Sequence, residues 1–203
     1  MPVFIKTNTL FIHIPKCGGS SIEKFMLSQG EKLGLYNSQH WTKSIFIYGH
    51  TLQHCTYKEI EQINVINKKT KIFTIIRNPI DRTISEYFYI KIYGSERVGL
   101  NPFNKTFDEF LNLFLNKQNT VLFDNHNISN FDFLVNKEGK INEQIKIFKF
   151  FETEKIEQFL GLKGLSNYHE LKTNKNNFQL TEEQKVKIVN YFQKDFDYFK
   201  FDY

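Results

Sequence analysis

The chain has 203 residues, 40% of them apolar, and a formal net charge of +5. This length favours one domain, residues 1–203, and the apolar content excludes a mainly disordered chain. No apolar run approaches the roughly 20 residues that cross a bilayer, and the two cysteines are too few for a disulfide framework. We therefore expect a cytoplasmic protein with no membrane span.

Four short runs rich in Ile and Phe predict buried strands, with helical patterns between them. The predicted strands are Thr9–Ile14, Ser44–Tyr48, Lys71–Ile76 and Ile145–Phe151. The predicted helices between them are Ser21–Leu27, Tyr57–Ile66 and Asp81–Tyr93. This alternation is typical of an α/β fold with a central, mainly parallel sheet flanked by helices.

Beyond the third strand the sequence becomes more helical. Thr106 with Glu109 and Thr181 with Gln184 predict two capping boxes, each at a helix start. The predicted loops are 94–104, 116–142 and 171–180. The last of these is polar and basic, so a plain connector and a ligand contact are both open interpretations.

The segment Pro15–Ser21, PKCGGSS, leaves a predicted strand, turns on two glycines and enters a helix. A helix start exposes backbone N–H groups and the positive end of a dipole, so the segment predicts an anion site with Lys16 as an added charge. In the nucleotide triphosphate loop the Lys follows the glycines, whereas Lys16 precedes them. A kinase-like enzyme and a tight turn with a surface Lys remain alternatives.

Arg77 follows the strand Lys71–Ile76, which places it at the carboxyl edge of the sheet, where open α/β folds bind ligands. Asn78 and Pro79 suit the start of the next helix, and Ser85 lies two turns into it. With only three arginines in a Lys-rich chain, an Arg here favours bidentate recognition of phosphate. Two anion sites at one edge predict a ligand with two separated phosphates.

A structural ion pair competes with this interpretation. Asp81 or Glu86 could pair with Arg77 and, more readily, with Arg82. The sequence leaves both possibilities open.

HIPKCGGSS followed by RNPIDRTISEY resembles the sulfotransferases that use 3'-phosphoadenosine-5'-phosphosulfate (PAPS), especially the carbohydrate branch that contains the heparan sulfate 2-O- and 6-O-enzymes. The resemblance implies a P-loop-like, three-layer fold. It also implies a grip on the 5'-phosphosulfate by Lys16, Cys17, Gly18, Gly19, Ser20 and Ser21. Arg77 and Ser85 would hold the 3'-phosphate.

The resemblance continues through residues 124–141, 147–162 and 171–199. In such enzymes the closing loop helps to cover the nucleotide, which implies donor contacts for Thr173, Asn174 and Lys175. Cys17 stands where Thr is commoner in the family, a change that a cradle of backbone N–H groups should tolerate.

Sulfuryl transfer needs a base for the acceptor hydroxyl and positive charge beside the leaving oxygen, and it needs no metal in principle. Lys16 is the predicted charge. His50 is the predicted base, because the resembling enzymes often place a catalytic His after the strand predicted at Ser44–Tyr48, and His54 is the reserve candidate. The other histidines are interpreted as a core residue, His13, and as loop residues, His40, His126 and His169, of which His126 is the most interesting.

The resemblance thus implies an enzyme that transfers a sulfuryl group from PAPS to a carbohydrate hydroxyl, although other hydroxyl acceptors stay open. Trp41, Tyr48 and loop 94–104 are candidates for acceptor contacts. The alternative of another class is a nucleotide- or nucleic-acid-binding module, but the Lys residues are scattered and we expect no nucleic-acid partner. The oligomeric state is left open.

Overall fold

The computed structural model describes residues 2–34, 50–63, 66–93, 104–168 and 178–202. Within these ranges five strands form one sheet. The strands are β1 (Val3–Phe4), β2 (Thr9–Ile12), β3 (Leu33–Gly34), β4 (Lys71–Ile76) and β5 (Ile145–Lys149). Their order is β3-β1-β2-β4-β5, with β1 antiparallel to β2 and β3, and with β4 parallel to β2 and β5.

Helices connect and flank these strands. They are α1 (Gly19–Ser28), α2 (Tyr57–Gln62), α3 (Pro79–Tyr93), α4 (Phe107–Phe114), α5 (Asn130–Leu134), α6 (Thr153–Leu160), α7 (Glu182–Tyr191) and α8 (Gln193–Phe199). Single 3-10 turns occur at Leu52–His54, Lys117–Asn119 and Leu165–Asn167. The predicted α/β class with a mainly parallel centre is confirmed.

Continuous apolar runs explain why β2 and β4 lie in the middle of the sheet. All four residues of β2 and the last five of β4 are buried, as expected for strands covered on both faces. The rings of Phe11 and Phe73 stack across the pair with centroids 4.8 Å apart. Because β2, β4 and β5 are parallel, their carboxyl ends meet at one edge of the sheet.

Two apolar clusters stabilise the fold. The first covers the sheet and includes Phe11, Phe25 and Phe73. The second is built on α3, α4, α7 and α8, where Phe110 and Phe192 are buried. Both predicted capping boxes are confirmed, because Thr106 and Thr181 accept hydrogen bonds from the backbone N–H groups of Glu109 and Gln184.

Several predicted boundaries were wrong. β2 ends at Ile12, β5 ends at Lys149, and α2 ends at Gln62. The predicted strand Ser44–Tyr48 lies outside the described residues.

The stretch 116–142, predicted as a loop, contains α5 and a 3-10 turn. Ser129 caps α5 by accepting a hydrogen bond from the Asp132 N–H at 3.0 Å, while Phe133 and Leu134 are fully buried. A Ser-x-x-Asp cap followed by two apolar residues is a short helix-start pattern, and it is hard to recognise in a stretch that is otherwise mostly polar. None of the helices in the described ranges combines the length and apolarity needed to cross a membrane.

Candidate functional site

A cavity of about 610 Å³ lies at the carboxyl ends of β2, β4 and β5. The segment after each strand lines it: Pro15–Ser21 after β2, Arg77 after β4, and Phe150 with Phe151 after β5. This is the edge at which open α/β sheets bind ligands. The parallel arrangement therefore brings both predicted anion motifs to one cavity.

The first wall is the start of α1. Gly18 is its N-cap residue, with φ 84°, and no side chain caps the helix. The Ser21 N–H donates to the Gly18 carbonyl at 3.1 Å, whereas the Gly19 and Ser20 N–H groups have no acceptor among the described residues and are left to a ligand or to solvent. The residues from Gly18 to Ser21 all line the cavity. Lys16 also has a left-handed conformation, with φ 64°, which is costly for a residue with a side chain.

The side chain of Cys17 packs in the apolar cluster that covers the sheet. It is fully buried, and its Sγ donates a hydrogen bond to Asn130 Oδ1 at 3.7 Å. Burial raises the pKa of the Cys17 thiol to about 11. The thiol is therefore protonated at neutral pH and contributes packing.

Arg77 connects the end of β4 to the loop after β2. Its Nη1 donates to the Lys16 carbonyl at 3.1 Å, and its guanidinium lies 4.4 Å from the ring centroid of Phe150. Its Nε is buried and has no hydrogen-bond partner among the described residues. Burial lowers the pKa of Arg77, but a guanidinium stays charged in proteins. A charged donor is thus held at the cavity with hydrogen-bonding capacity left.

Helix α3 contributes two further side chains to the cavity, Ser85 and Tyr89. The helix begins as predicted, because Asn78 Oδ1 accepts a hydrogen bond from the Ile80 N–H at 2.9 Å. The Lys16 Nζ lies 3.5 Å from the centroid of the Tyr89 ring. The predicted anion-binding side chains Lys16, Arg77 and Ser85 therefore face the same cavity.

Arg82 does not form the ion pair that the sequence left open. It is 1% exposed, its Nε donates to the Pro15 carbonyl at 3.1 Å, and its Nη2 donates to the His126 carbonyl at 2.8 Å. Glu86 instead lies 2.8 Å from His126 Nδ1. Arg82 thus fixes two backbone segments that border the cavity.

Three cavity-lining histidines form a row, which we call the histidine row: His13, His54 and His126. The ring centroids of His13 and His54 are 5.2 Å apart, and those of His54 and His126 are 4.7 Å apart. A carboxylate oxygen lies 2.7, 2.9 and 2.8 Å from the Nδ1 of each ring in turn. These carboxylates belong to Glu23, Asp124 and Glu86.

At the centre of the row the electrostatics favour a neutral His54 beside an ionised Asp124. Burial, reinforced by the neighbouring His126 and His13, holds the pKa of His54 well below its usual 6.5, against the opposing effect of Asp124. Burial would raise the pKa of Asp124, but the hydrogen bonds and charges of its neighbours hold it well below its usual value. A neutral His54 that donates from Nδ1 to Asp124 keeps a lone pair on Nε2.

A family model described as the sulfotransferase family matches residues 3–202. The chain belongs to the sulfotransferase family. The matched range contains both anion motifs and the whole histidine row. We therefore interpret the cavity in terms of the chemistry of this family, which is transfer of a sulfuryl group. No curated protein and no solved structure matches the chain significantly.

His50, the predicted base of this sulfotransferase, is absent from the described lining of the cavity, whereas the reserve candidate His54 is present. His50 is 4% exposed, with Nδ1 3.0 Å from the Thr51 carbonyl and Nε2 2.9 Å from Glu59 Oε1. Both ring nitrogens are engaged away from the cavity. His13, interpreted as a core histidine, is buried but lies just past β2 and borders the cavity.

Several predicted site residues lie outside the described part of this sulfotransferase. They are Thr173, Asn174, Lys175, His40, His169, Trp41, Tyr48 and nearly all of loop 94–104. Their roles remain predictions.

The sequence did not single out Glu23 and Asp124, and it named Glu86 only as a possible partner of an arginine. Glu23 lies on α1 one turn after Gly19, and Asp124 lies two residues before His126. The one available signal was DNHN, in which Asp124 and Asn125 have φ of 50° and 65°, a conformation that Asn and Asp tolerate better than most residues. The pairing of Glu23 with His13, 10 positions away, and of Asp124 with His54, 70 positions away, cannot be predicted from the spacing of these residues in the sequence.

Proposed function

We propose that this sulfotransferase moves the sulfuryl group of PAPS to a hydroxyl of a carbohydrate acceptor. The observation that carries the proposal is the convergence of two anion motifs on one cavity: the start of α1, and the pair Arg77 and Ser85. PAPS has anionic groups on both its 5' and its 3' positions. A donor with two separated anions is what two such motifs suit.

The residues present fit the donor. No side chain caps the start of α1, and the buried Nε of Arg77 lacks a partner in the described ranges. We assign the 5'-phosphosulfate to residues 16–21 and the 3'-phosphate to Arg77 and Ser85. Residues 173–175 would close over the nucleotide.

The histidine row supplies the base. His13 lies over the first residue of α1, so we assign it to the donor side, and we assign His54 to the acceptor side. His54 would accept the acceptor's proton at Nε2, because Asp124 holds Nδ1 and orients the ring. Lys16 would stabilise the negative charge that develops on the leaving phosphate oxygen.

The acceptor class rests on family membership for the hydroxyl and on the sequence resemblance for the sugar. The test is transfer of labelled sulfate from PAPS to desulfated polysaccharides, simple sugars, phenols and aliphatic alcohols. Preference for saccharides supports the proposal, and preference for phenols or alcohols overturns the carbohydrate assignment.

Donor binding is tested by calorimetric titration with 3',5'-adenosine bisphosphate and, separately, with ATP and magnesium. We expect binding of the bisphosphate, and about 10- to 100-fold weaker binding for Arg77→Ala, as for the loss of charge-assisted hydrogen bonds. Lys146→Ala removes one positive charge from an exposed position of β5 and should bind normally. Preference for ATP would support a kinase-like enzyme instead.

The base assignment is tested by comparing His54→Gln with His50→Gln in the transfer assay. We expect kcat to fall about 100-fold or more for His54→Gln, in the range of general base catalysis. His50→Gln should keep most of its activity, with bisphosphate affinity measured for both variants. Loss of transfer in His50→Gln alone would restore His50 as the base.

A further inference from the structure

We propose that His54, Asp124 and His126 bind one divalent transition-metal ion of the zinc class at the cavity wall. Each of the three residues offers one ligand atom, and these atoms all lie within 4.8 Å of one another. Imidazole nitrogen and carboxylate oxygen are ligands that such ions prefer. Three protein ligands leave one coordination position for water or for a molecule in the cavity.

His126 carries the strongest evidence. It is 6% exposed, and its Nε2 is buried without a hydrogen-bond partner in the described part of the chain. Its Nδ1 lies 2.8 Å from Glu86 Oε2, so a donated Nδ1–H leaves a lone pair on Nε2. A buried acceptor without a partner is rare in proteins, and a carboxylate that holds the other nitrogen is the usual outer partner of a metal-binding His.

Asp124 is held in the same way. Its Oδ1 accepts a hydrogen bond from the Thr51 N–H at 2.6 Å, and its Oδ2 accepts one from Thr51 Oγ1 at 3.0 Å. Asp124 Oδ2 lies 2.9 Å from His54 Nδ1. Two ligand atoms about 2.1 Å from a tetrahedral ion are about 3.4 Å apart, so binding through Nδ1 needs the two atoms to separate by about 0.5 Å. The proton on His54 Nδ1 then moves to Nε2 of the same ring, so that His54 binds as a neutral imidazole.

The ion can reach the site from solvent. His54 and His126 both line the cavity, which the start of α1 also lines. The ligands carry one formal negative charge, from Asp124, while both rings bind as neutral bases. This balance suits a divalent ion of borderline softness better than Mg²⁺ or Ca²⁺, which prefer oxygen ligands throughout.

The ligand atoms of a second cluster, His50, Cys55 and Glu59, also lie within 4.8 Å of one another. This cluster serves as a comparison within the same chain. Two of its groups already form other hydrogen bonds. Glu59 forms the capping box of α2 with Thr56, and His50 Nδ1 contacts the Thr51 carbonyl. It does not border the described part of the cavity. We therefore assign the ion to His54, Asp124 and His126.

The proposal does not depend on the proposed sulfuryl transfer, because its readout is bound metal. Sulfuryl transfer needs no metal in principle, so the ion is assigned no part in it. An ion at His54 would engage the ring that we propose as the base, so a metal-loaded and a metal-free chain are distinct states of this cavity.

The experiment uses the full chain after treatment with a chelator. Zn²⁺ affinity is measured by competition with a chromophoric chelator, and Co²⁺ is added as a spectroscopic probe. We expect one Zn²⁺ per chain and a Co²⁺ absorption band typical of four or five ligands including nitrogen. Millimolar Mg²⁺ should not compete.

Asp124→Asn and His126→Gln should each weaken Zn²⁺ binding by at least about 100-fold, and Glu86→Gln by about 10-fold although it supplies no ligand. His50→Gln is the matched control, since it replaces another buried His paired with a carboxylate, and it should bind Zn²⁺ normally. Thermal unfolding checks that each variant folds. Failure of the native chain to bind Zn²⁺, or loss of binding in His50→Gln with retention in Asp124→Asn, overturns the proposal.

Discussion

The imidazole ring of His13 lies against the backbone of Gly19, so that a methyl group at position 19 would lie 2.1 Å from His13 Nε2. The residue after β2 thus packs on the first residue of α1. Glu23, one turn further along α1, lies 2.7 Å from His13 Nδ1 and fixes the ring in this place. Glycine at position 19 is therefore required by the close approach of a side chain that is itself held.

We expect Gly19→Ala to lower the free energy of unfolding by about 1–3 kcal/mol, because the ring of His13 must move to make room. Movement of His13 should also disturb the start of α1 and weaken binding of 3',5'-adenosine bisphosphate. Urea unfolding and calorimetric titration measure the two effects.

Gly34→Ala in β3 is the control, because among the described residues its new methyl group would meet the flexible side chain of Ile5 at 3.2 Å and the Val3 carbonyl oxygen at an ordinary contact distance of 3.8 Å. It should change stability by less than Gly19→Ala and leave nucleotide binding intact. Equal behaviour of the two variants would mean that His13 yields readily and does not hold the cradle.

Arg82→Lys should destabilise the chain. The guanidinium bonds two carbonyls, those of Pro15 and His126, and a Lys ammonium cannot reproduce this fork. Loss of one charged hydrogen bond in a buried site predicts about 1.5–3 kcal/mol less unfolding free energy. Urea unfolding without nucleotide measures it.

Arg77→Lys provides the comparison for Arg82→Lys. Arg77 faces the cavity, so its replacement should lower bisphosphate affinity more than stability. If Arg82→Lys instead lowered affinity while unfolding like the native chain, Arg82 would be a ligand-binding residue and its structural role would be wrong.

The part of the site that the sequence predicted is the part encoded locally. Lys71–Ile76 is a strand with the predicted bounds, because a short and almost entirely apolar run is typical of a strand buried in the middle of a sheet. Arg77 and Ser85 reach one cavity because the end of a parallel strand and the next helix share an edge. Both inferences need only neighbours in the chain.

The missed part depends on distant contacts. Asp124 lies 2.9 Å from His54 Nδ1 across 70 residues of sequence, and Gln53 Nε2 donates to Glu23 Oε1 at 3.1 Å across 30 residues. Such pairs follow from how separate loops pack, which no local period records. The strands β1 and β3 escaped notice because two residues carry no pattern.

The pair His50 and Glu59 should make stability depend on pH. Burial alone would lower the pKa of His50, but Glu59, the Thr51 carbonyl and Asp124 together raise it above 6.5. Burial alone would raise the pKa of Glu59, but His50 and Thr56 together lower it below 4.5. The His50 contribution is complete below 6.5 and is lost as pH rises, whereas the Glu59 contribution is complete above 4.5 and is lost as pH falls.

We therefore expect His50→Gln to destabilise the chain more at about pH 5.5 than at about pH 8.5, as measured by urea unfolding at both values. Lys58→Gln changes an exposed charge on α2 and should give a difference that does not vary with pH in this way. A constant difference for His50→Gln would show that the pair contributes no charge-dependent stability.

Asp195 ties α8 to the cavity through Asn130. It is fully buried, and its carboxylate accepts hydrogen bonds from Asn130 N at 2.8 Å, Asn130 Nδ2 at 2.6 Å and Phe131 N at 2.7 Å. Asn130 Nδ2 also donates to the Arg77 carbonyl at 3.1 Å. Removing the carboxylate leaves buried donors at the start of α5 unsatisfied and frees the residue that follows β4.

Asp195→Ala should lower the free energy of unfolding by about 3 kcal/mol or more, because each unsatisfied buried donor costs about 1–3 kcal/mol. Asp195→Asn keeps one acceptor oxygen and should fall between Asp195→Ala and the native chain. Asp197→Ala is the matched control on α8, because Asp197 is exposed and accepts only a surface hydrogen bond from Gln193 among the described contacts. The measurement is the urea midpoint of each of the three variants. A shift for Asp195→Ala no larger than that for Asp197→Ala would mean that water replaces the carboxylate without loss of stability.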